Sequence, residues 1–273
     1  MRRILTAIIL IPLVVGLVLW GHPTILVAVQ AAITLLALWE WFRIAEAATG
    51  VQPQRTIGYI FGLGVALSPL ANEPAVWMLG ILVLFLLCLA ISELFAGDDI
   101  RKYLSIVATT ALGVLYVAIP MALLSWVALS EDGRFLTLFT LVVIWCGDSA
   151  GFFVGRSIGK HRSSPIISPK KTWEGTIGAF IAAILVGAIA AQYFWGTEPT
   201  WMAVVLAAGL NIAGQLGDLA ESAFKRSAGV KDSSGLIPGH GGVLDRIDAL
   251  LLAAPILWYY WLWTMLEGIP STL

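Results

Sequence analysis

Residues 222–248 hold the densest group of side chains in this chain whose types and spacing allow chemistry. Around them the chain is 59% hydrophobic and only 12% charged. Ionisable groups near a membrane are costly, so their first interpretation is a functional one. Carboxylates suit a hard cation and basic side chains suit phosphates, so the stretch predicts phosphate chemistry at a membrane surface. Its ionisable residues are Lys225, Arg226, Lys231, Asp232, His240, Asp245, Arg246 and Asp248.

A set of polar residues just before this stretch shares one face of a predicted helix. The spacing i, i+3, i+4 and i+7 joins Asp218, Glu221, Ser222 and Lys225. The plain alternative is a pair of solvated acids at the end of a membrane span. Two acids, a hydroxyl and a cation beside a glycine-rich loop exceed what solvation requires. We therefore predict that Asp218 and Glu221 bind metal.

A glycine-rich turn leads into the last predicted helix, close to whose start Asp245 lies. Glycines let backbone N–H groups approach phosphate oxygens, and a helix N-terminus favours anions. We therefore predict that His240, Gly241 and Gly242 bind substrate and that Asp245 binds metal. Two alternatives stay open: Asp245 caps the helix, and His240 makes a structural hydrogen bond.

A second basic loop follows Asp148, which lies inside an apolar run and is predicted to be functional. Ordinary accumulation of positive charge on one membrane side explains Arg156 and Arg162. By contrast, Lys170 and Lys171 are held between a proline and a tryptophan, and Lys171 is predicted to bind substrate. A ridge of small residues spaced by four predicts close helix packing: Gly147, Gly151, Gly155 and Gly159.

Several reaction classes lack their sequence signatures. The chain contains no GxxxxGK[ST] phosphate loop and no HExxH, and it has only three histidines. A Ser–His–Asp triad or a histidine-bound zinc is therefore not expected. Acids for Mg²⁺ and bases for phosphates suit phosphoryl or nucleotidyl transfer to a lipid, in which catalysis is mostly positioning and neutralisation.

The hydropathy pattern predicts an all-α, polytopic membrane protein. Mean hydropathy is +0.90, and about 20 apolar residues suffice to cross a bilayer as a helix. Pro120 is expected to kink or break the fifth span. We predict nine spans, at 4–20, 24–42, 57–70, 75–95, 104–129, 135–155, 175–195, 201–224 and 243–266.

The basic residues test this count and fix an orientation. With the N-terminus in the cytoplasm, nine spans place all of the 16 Lys and Arg residues except Arg134 on the cytoplasmic side. The C-terminus then lies outside. Both long polar loops, 156–174 and 225–242, face the cytoplasm, where nucleotides are found.

The distribution of polar residues divides the chain into two predicted regions. Residues 1–134 are interpreted as scaffold spans, and 135–273 as the catalytic region with its two polar loops. The first apolar run resembles a signal peptide, but no small-residue cleavage site follows it, so it is predicted to be a retained span. Cys88 and Cys146 lie in apolar runs and are predicted to be buried, inert thiols.

The motifs resemble those of a known family, the bacterial phosphatidate cytidylyltransferases, also called CDP-diacylglycerol synthases. The resemblance rests on Ser222-Ala223-Phe224-Lys225-Arg226, on Lys231-Asp232 and on the run HGGVLDRID at 240–248. Segments 168–175 and 217–222 are also similar to the family's. The specific motifs cover roughly the last 130 residues, while the first half shares only the general pattern of spans.

The resemblance implies the Mg²⁺-dependent reaction of CTP with phosphatidate to give CDP-diacylglycerol and pyrophosphate, in an all-helical homodimer of the cell (inner) membrane. A second metal ion is compatible with it, and a nucleic-acid partner is not expected. Asp248 or Glu221 would supplement the metal ligands Asp218 and Asp245. The predicted catalytic residues are Asp218, Asp245, Lys225, Arg226 and Asp248. Substrate binding is assigned to Lys171, Ser222, Lys231, His240, Gly241, Gly242, Arg246 and Asp148.

Three other functions remain as alternatives. A CTP-dependent lipid kinase would transfer the γ-phosphate and release CDP. An ion-coupled secondary transporter would use Asp148 and Asp218 as carriers, although the chain shows no related halves and its polar residues cluster on one side. A non-catalytic membrane scaffold would not need the group of acids and bases.

Overall fold

The computed structural model describes residues 2–96, 99–131, 133–195, 201–237, 239 and 241–267, with the side chains of 2–7, 96, 194 and 195 left out. Helices dominate this part of the chain. They are α1 (Arg2–Trp20), α2 (Pro23–Thr49), α3 (Arg55–Leu67), α4 (Pro74–Ala96), α5 (Tyr103–Gly113), α6 (Ile119–Leu129), α7 (Gly133–Ile158), α8 (Trp173–Trp195), α9 (Trp201–Ser227) and α10 (Leu244–Leu266).

The lengths of these helices confirm a predominantly helical, multi-pass membrane protein. Within the described residues, 7 helical stretches are long and apolar enough to cross a bilayer, and α5 and α6 count together as one of them. The described apolar part of α1, Ile8–Trp20, is shorter, and α3 has 13 residues. Every predicted span falls on a helix, and the count of nine spans and their orientation stay predictions.

The predicted break at Pro120 is wrong, because the fifth run stays helical from α5 through α6. A π-helical turn, Val114–Ala118, joins α5 to α6. Proline has no N–H to donate to the preceding turn, and a π turn is one way in which a helix continues past such a gap. The long fifth run is therefore continuous but interrupted in its hydrogen bonding.

A small β-hairpin, absent from the sequence prediction, lies in the basic loop after α7. Strand β1 (Arg162–Ser164) pairs antiparallel with β2 (Ser168–Thr172). The register places Arg162 opposite Thr172 and Ser164 opposite Ser168. The strands are short and polar, so they lack the apolar alternation that marks a strand in a sequence. The hairpin leads directly into the first turn of α8.

The described chain forms two compact units. The first consists of Met1–Trp126 and Ala223–Ile247, and the second of Val127–Ser222 and Asp248–Leu273. The polar loop after α9 thus belongs to the same unit as the N-terminal helices. The sequence-based division at 134 into scaffold and catalytic regions concerns function and stays a prediction.

The first unit has a core of aromatic and aliphatic side chains from α2, α3, α4 and α5. Trp41 and Phe42 are buried on α2, and the Trp41 indole N–H donates to the Thr109 carbonyl at 3.0 Å. Phe224 stacks edge-on to Trp41, with ring centroids 4.8 Å apart. This contact ties the last turns of α9 to α2 within the unit.

The second unit is organised by close packing of α7 against α8. A side-chain carbon at Gly151 would lie 3.1 Å from Ala179 Cβ, and one at Gly175 would lie 2.8 Å from the Gly151 carbonyl oxygen. A carbon at Gly155 would lie 3.0 Å from Thr172 Oγ1. The predicted small-residue ridge is thus confirmed as a packing surface. Gly159 lies just beyond the end of α7 but is equally close to Thr172.

The two cysteines differ from their predicted burial. Cys88 is exposed on α4 and Cys146 is half-buried on α7, and both are free thiols. The apolar surroundings of Cys88 in the sequence belong to a helix that keeps much of its surface on the outside of the protein.

Candidate functional site

The first unit contains a buried ion pair between the last turn of α9 and the first turn of α10. Lys225 Nζ lies 2.5 Å from Asp245 Oδ1, and the two side chains are 10% and 7% exposed. Removing two charges from water is costly unless further hydrogen bonds satisfy them. The sequence predicted both residues as catalytic, and the structure brings them into direct contact.

Asp245 receives those further hydrogen bonds from the polar loop. We call residues 228–243 the α9–α10 loop. The backbone N–H groups of Gly242 and Ser233 donate to Asp245 Oδ2 at 2.7 and 3.0 Å. Both donors lie in the loop before α10, and Asp245 lies inside the first turn of that helix. Asp245 therefore ties the loop to the helix, and neither bond involves an N–H group of α10 itself, as the capping alternative would require.

A second buried carboxylate, Glu40 on α2, holds the same loop from the other side. Its side chain is fully buried and accepts hydrogen bonds from the hydroxyls of Ser233 and Ser234. It also accepts bonds from the backbone N–H groups of Val243 and Leu244 at 2.9 and 2.6 Å. A carboxylate from a distant part of the sequence thus caps α10.

The α9–α10 loop borders a polar cavity of about 520 Å³. This volume lies in the range of sites for small molecules. Arg246 adds a guanidinium that suits phosphate, and glycines bring backbone close to the space. The lining residues are Asp232, Ser234, Gly235, Ile237, Gly239, Gly241 and Arg246.

The second unit contains a more open ion pair near the end of β2 that leads into α8. Lys171 Nζ lies 2.7 Å from Asp218 Oδ2, and the two side chains are 26% and 39% exposed. Ser222 Oγ lies at 3.5 Å from Asp218 Oδ1, one helical turn further along α9. The structure therefore brings together three residues that the sequence assigned separately to metal and substrate binding.

Local hydrogen bonds fix the hairpin that carries Lys171. The next residue, Thr172, is buried, and its hydroxyl accepts from the Gly175 N–H at 3.2 Å, which caps the start of α8. Glu174 accepts from the His161 backbone and lies 2.7 Å from its Nδ1. The lysine thus extends from a short strand that is anchored at its end.

Other predicted residues lie in varied surroundings. Glu221 is fully buried on α9, while Asp148 is exposed on α7. Asp248 is half-buried, and its Oδ1 accepts from the Ala249 N–H at 2.8 Å. These three remain candidates from the sequence alone. A carbon at Gly217 would collide with the Asp248 carbonyl oxygen, so α9 and α10 approach closely beside it.

The remaining basic residues of the motif are accessible. Arg226, Lys231 and Arg246 are all exposed, and Arg226 Nη1 donates to the Val230 carbonyl at 3.0 Å. Gly241 has a φ of +78°, so a side chain there would be strained. His240 lies outside the described residues, and its predicted role stays a prediction.

The predicted magnesium ligands can be compared with what the described residues offer a metal ion. Among the residues that the structure describes, no group of three or more His, Cys, Asp or Glu side chains is arranged to hold a metal. Mg²⁺ usually takes one or two carboxylates together with phosphate oxygens and water. The half-exposed Asp218 has the right chemistry for such a role. Asp218 and Asp245 belong to different units, and their joint metal site stays a prediction.

Two structural polar residues escaped the sequence analysis. Glu40 lies inside a predicted span, and an acid in such a position is itself a signal of function. Asn211 is buried on α9 and accepts from Gln215 Nε2 at 2.6 Å. A carbon at Gly147 would collide with the Asn211 amide, so this pair marks where α7 packs on α9.

Comparison with known proteins covers almost the whole chain. A family model described as the cytidylyltransferase family matches residues 1–264. A phosphatidate cytidylyltransferase of Haemophilus influenzae is 30% identical over 97% of this chain and 99% of its own length. One of Brucella suis is 33% identical over 94% of the chain and 92% of its own length.

A shorter match reaches a higher identity. A phosphatidate cytidylyltransferase of Staphylococcus haemolyticus is 37% identical over 60% of this chain and 59% of its own length. The match to the family extends from the first helix to the last, and includes both the buried pair in one unit and the open pair in the other. The chain belongs to the cytidylyltransferase family.

Proposed function

We propose that the protein transfers the cytidylyl group of CTP to phosphatidate and forms CDP-diacylglycerol and pyrophosphate. The observation that carries this proposal is the full-length similarity to relatives named phosphatidate cytidylyltransferase. The chemistry of the two ion pairs supports it, because each combines a lysine, which can neutralise a phosphate, with an aspartate, which can bind a cation. The apolar helices are long enough to cross a bilayer, where a lipid substrate is found.

The reaction requires little proton transfer. A phosphatidate phosphate has a second pKa of about 6, so at neutral pH it is largely a dianion and already a nucleophile. One of its oxygens forms a bond to the α-phosphorus of CTP, and the bond from that phosphorus to the oxygen bridging to the β-phosphorus breaks. Pyrophosphate leaves with the electron pair. The enzyme must mainly overcome repulsion between two anions.

The lysines supply this neutralisation. Lys171 and Lys225 each face an aspartate in the structure. Lys171 is partly exposed and can turn to a phosphate oxygen if Asp218 binds a cation. Lys225 is buried, so it would act as a fixed positive charge beside the α9–α10 loop. Arg226, Lys231 and Arg246 are exposed and add positive charge around the α9–α10 loop. Their combined field favours the bound triphosphate and the developing charge of pyrophosphate.

Mg²⁺ is the cofactor that we propose, held by Asp218 and Asp245, with Asp248 or Glu221 as a further ligand. When bound, it would supply positive charge to the phosphates of both substrates, and a second ion is compatible with this scheme. Removal of divalent cations with a chelator is expected to abolish turnover, and added Mg²⁺ is expected to restore it.

We further propose nine spans with a cytoplasmic N-terminus, an active site that faces the cytoplasm of the cell (inner) membrane, and a homodimer. Of the 16 Lys and Arg residues, all except Arg134 then lie on the cytoplasmic side. Single cysteines test this orientation. In a variant without Cys88 and Cys146, Lys231→Cys and Arg134→Cys are each treated with a membrane-impermeant thiol reagent, and the two cysteines should be accessible from opposite sides of the membrane.

Separately labelled CTP tests the reaction. Purified protein in detergent is given phosphatidate, Mg²⁺ and CTP labelled at either the α- or the γ-phosphate. We expect the α-label in a chloroform-soluble product and the γ-label in pyrophosphate. The γ-label in lipid would instead establish a lipid kinase. No transfer of either label to several lipid acceptors would overturn the proposal and favour the transporter.

A further inference from the structure

We propose that Glu40 is a positioning residue for CTP. It acts through the α9–α10 loop and the start of α10, and the inference rests on the proposed cytidylyl transfer. Glu40 lies almost two hundred residues before the motif that it holds, so the motif alone does not reveal it. The structure places its carboxylate at the point where the loop enters α10.

Both oxygens of the carboxylate are used in the same way. Oε1 accepts from Ser234 Oγ at 2.5 Å and from the Val243 N–H at 2.9 Å. Oε2 accepts from Ser233 Oγ at 2.9 Å and from the Leu244 N–H at 2.6 Å. Each oxygen thus binds one hydroxyl and one backbone N–H. The described surroundings offer Glu40 four donors, and its side chain is 0% exposed.

This arrangement requires a carboxylate and not merely a side chain of that size. A hydroxyl can rotate and accept a hydrogen bond, but a backbone N–H can only donate. Glutamine has the shape of glutamate and carries an NH₂ group in place of one oxygen. In either orientation that NH₂ group would face a backbone N–H, of Val243 or of Leu244. One buried donor would then lose its acceptor, which is costly.

Glu40 is linked to Asp245 through one shared hydroxyl. Ser233 Oγ lies 2.9 Å from Glu40 Oε2 and 2.8 Å from Asp245 Oδ2. Little room remains for adjustment, because a carbon at Gly242 would collide with both Ser233 Oγ and the Glu40 carboxylate. A shift of Glu40 therefore moves the serine and the backbone that also hold Asp245.

The network also forms part of the cavity wall. Ser234, which donates to Glu40, lines the cavity beside Asp232 and Arg246. Arg246 follows Leu244 by two residues in the first turn of α10. The hydrogen bond that holds the Leu244 N–H therefore also positions the backbone from which the Arg246 side chain extends. The polar lining and the arginine suit a nucleoside triphosphate better than acyl chains. We therefore assign the cavity to CTP.

Glu40→Gln is the test, and Glu46→Gln is its control. Glu46 lies on the same helix, is 43% exposed on its side chain and pairs with Arg55, so it undergoes the same chemical change outside the network. For Glu40→Gln we expect at least about a tenfold rise in the KM for CTP, since one buried hydrogen bond is worth about a factor of ten. The KM for phosphatidate should stay within twofold, and Glu46→Gln should match the wild type.

Steady-state assays with each substrate varied in turn provide this comparison. Glu40→Gln that matches the wild type in both constants would overturn the proposal, because a packing role is preserved by an isosteric side chain. Equal changes in both KM values would also overturn it, since they would mean a general loss of structure. If the wild-type protein transfers no cytidylyl group, the proposed function itself is wrong. This outcome is distinct from a failure of the Glu40 proposal, which is judged only from a wild-type protein that is active.

Two further measurements test the proposal even if Glu40→Gln fails to fold normally. Ser234→Ala removes one of the four donors to Glu40. It also removes the acceptor of the Leu236 N–H, which is exposed and can bind water instead. The variant should therefore fold and raise the KM for CTP about threefold by loss of part of one hydrogen bond. Limited trypsinolysis without substrates should cleave Glu40→Gln faster than the wild type after the exposed Lys231. Unchanged cleavage together with an unchanged KM in Ser234→Ala would overturn the proposal.

Discussion

The two Lys–Asp pairs of this protein are alike in composition and differ in their surroundings. Lys225 and Asp245 are about nine-tenths buried, with backbone N–H donors around the aspartate. Lys171 and Asp218 are 26% and 39% exposed on their side chains, and the lysine comes from a two-stranded hairpin. The first pair is part of the interior of its unit, and the second lies at the surface of its own.

The difference in burial separates a role in stability from a role in the reaction, which sequence motifs do not distinguish. A buried pair whose partner is removed leaves a charge without compensation, at a cost of about 3–5 kcal/mol. An exposed pair contributes about 1 kcal/mol or less to stability. Asp245 should therefore support both fold and reaction, whereas Asp218 should support the reaction with little effect on the fold.

The largest effect is expected from Asp245→Ala. Turnover should fall below detection, and the midpoint of thermal unfolding in detergent should drop markedly, because Lys225 stays buried without its partner. Heating followed by size-exclusion chromatography measures the second effect. The double variant Lys225→Met, Asp245→Leu should recover part of the stability and none of the activity. An active Asp245→Ala protein of normal stability would remove this residue from the site.

Asp218→Asn should equal that loss of activity at much smaller structural cost. We expect turnover to fall by about a thousandfold or more, on the scale of a lost metal ligand, with a change in unfolding free energy below about 1 kcal/mol. The same two measurements apply. If Asp218→Asn destabilises the protein as strongly as Asp245→Ala does, the contrast between a buried and an open pair is wrong.

Lys171→Gln should have an intermediate effect on activity. The charge faces Asp218 at 2.7 Å, and its loss should lower kcat/KM by about ten- to a hundredfold, as for a charged hydrogen bond of about 1.5–3 kcal/mol. Lys170→Gln is the matched control, because it is the exposed neighbour on the same strand. It should stay within about twofold of the wild type. Equal losses in both variants would point to a general effect of charge.

Gly175→Ala should have the smallest effect on activity and act through packing. Its new carbon would lie 2.8 Å from the Gly151 carbonyl oxygen and 3.1 Å from Thr172 Oγ1. Overpacking of this kind costs about 1–3 kcal/mol, and a few-fold loss of activity should follow as the hairpin shifts. Gly80→Ala on α4, where a carbon meets open space, should be neutral or slightly stabilising. Thermal midpoints of both variants provide the comparison.

Hydropathy predicted the membrane helices because apolar length is a local property. The break expected at Pro120 was wrong, because the run continues through a π turn just before the proline. The hairpin at 162–172 was missed because its strands are short, polar and paired only with each other. The exposure of Cys88 was also missed, since an apolar run looks the same whether it faces lipid or protein.

Within the site, helical spacing predicted the shared face of Asp218 and Ser222, and the motif predicted Lys225 and Asp245. Sequence left two roles open for Asp245, and the structure shows that it pairs with Lys225 and holds the α9–α10 loop. Glu40 was not assigned, although an acid inside a predicted span was a visible signal. Its partners lie almost two hundred residues away, and no periodicity connects them.

The sequence by itself determined the family, the helical membrane class and the residue types that meet phosphates, because these depend on composition, local spacing and motif. Tertiary structure alone decided which carboxylates are buried and which are open, since burial depends on segments brought together from distant parts of the chain. Glu40 beneath the α9–α10 loop and Lys171 opposite Asp218 are such pairings. Each follows from packing within its own unit.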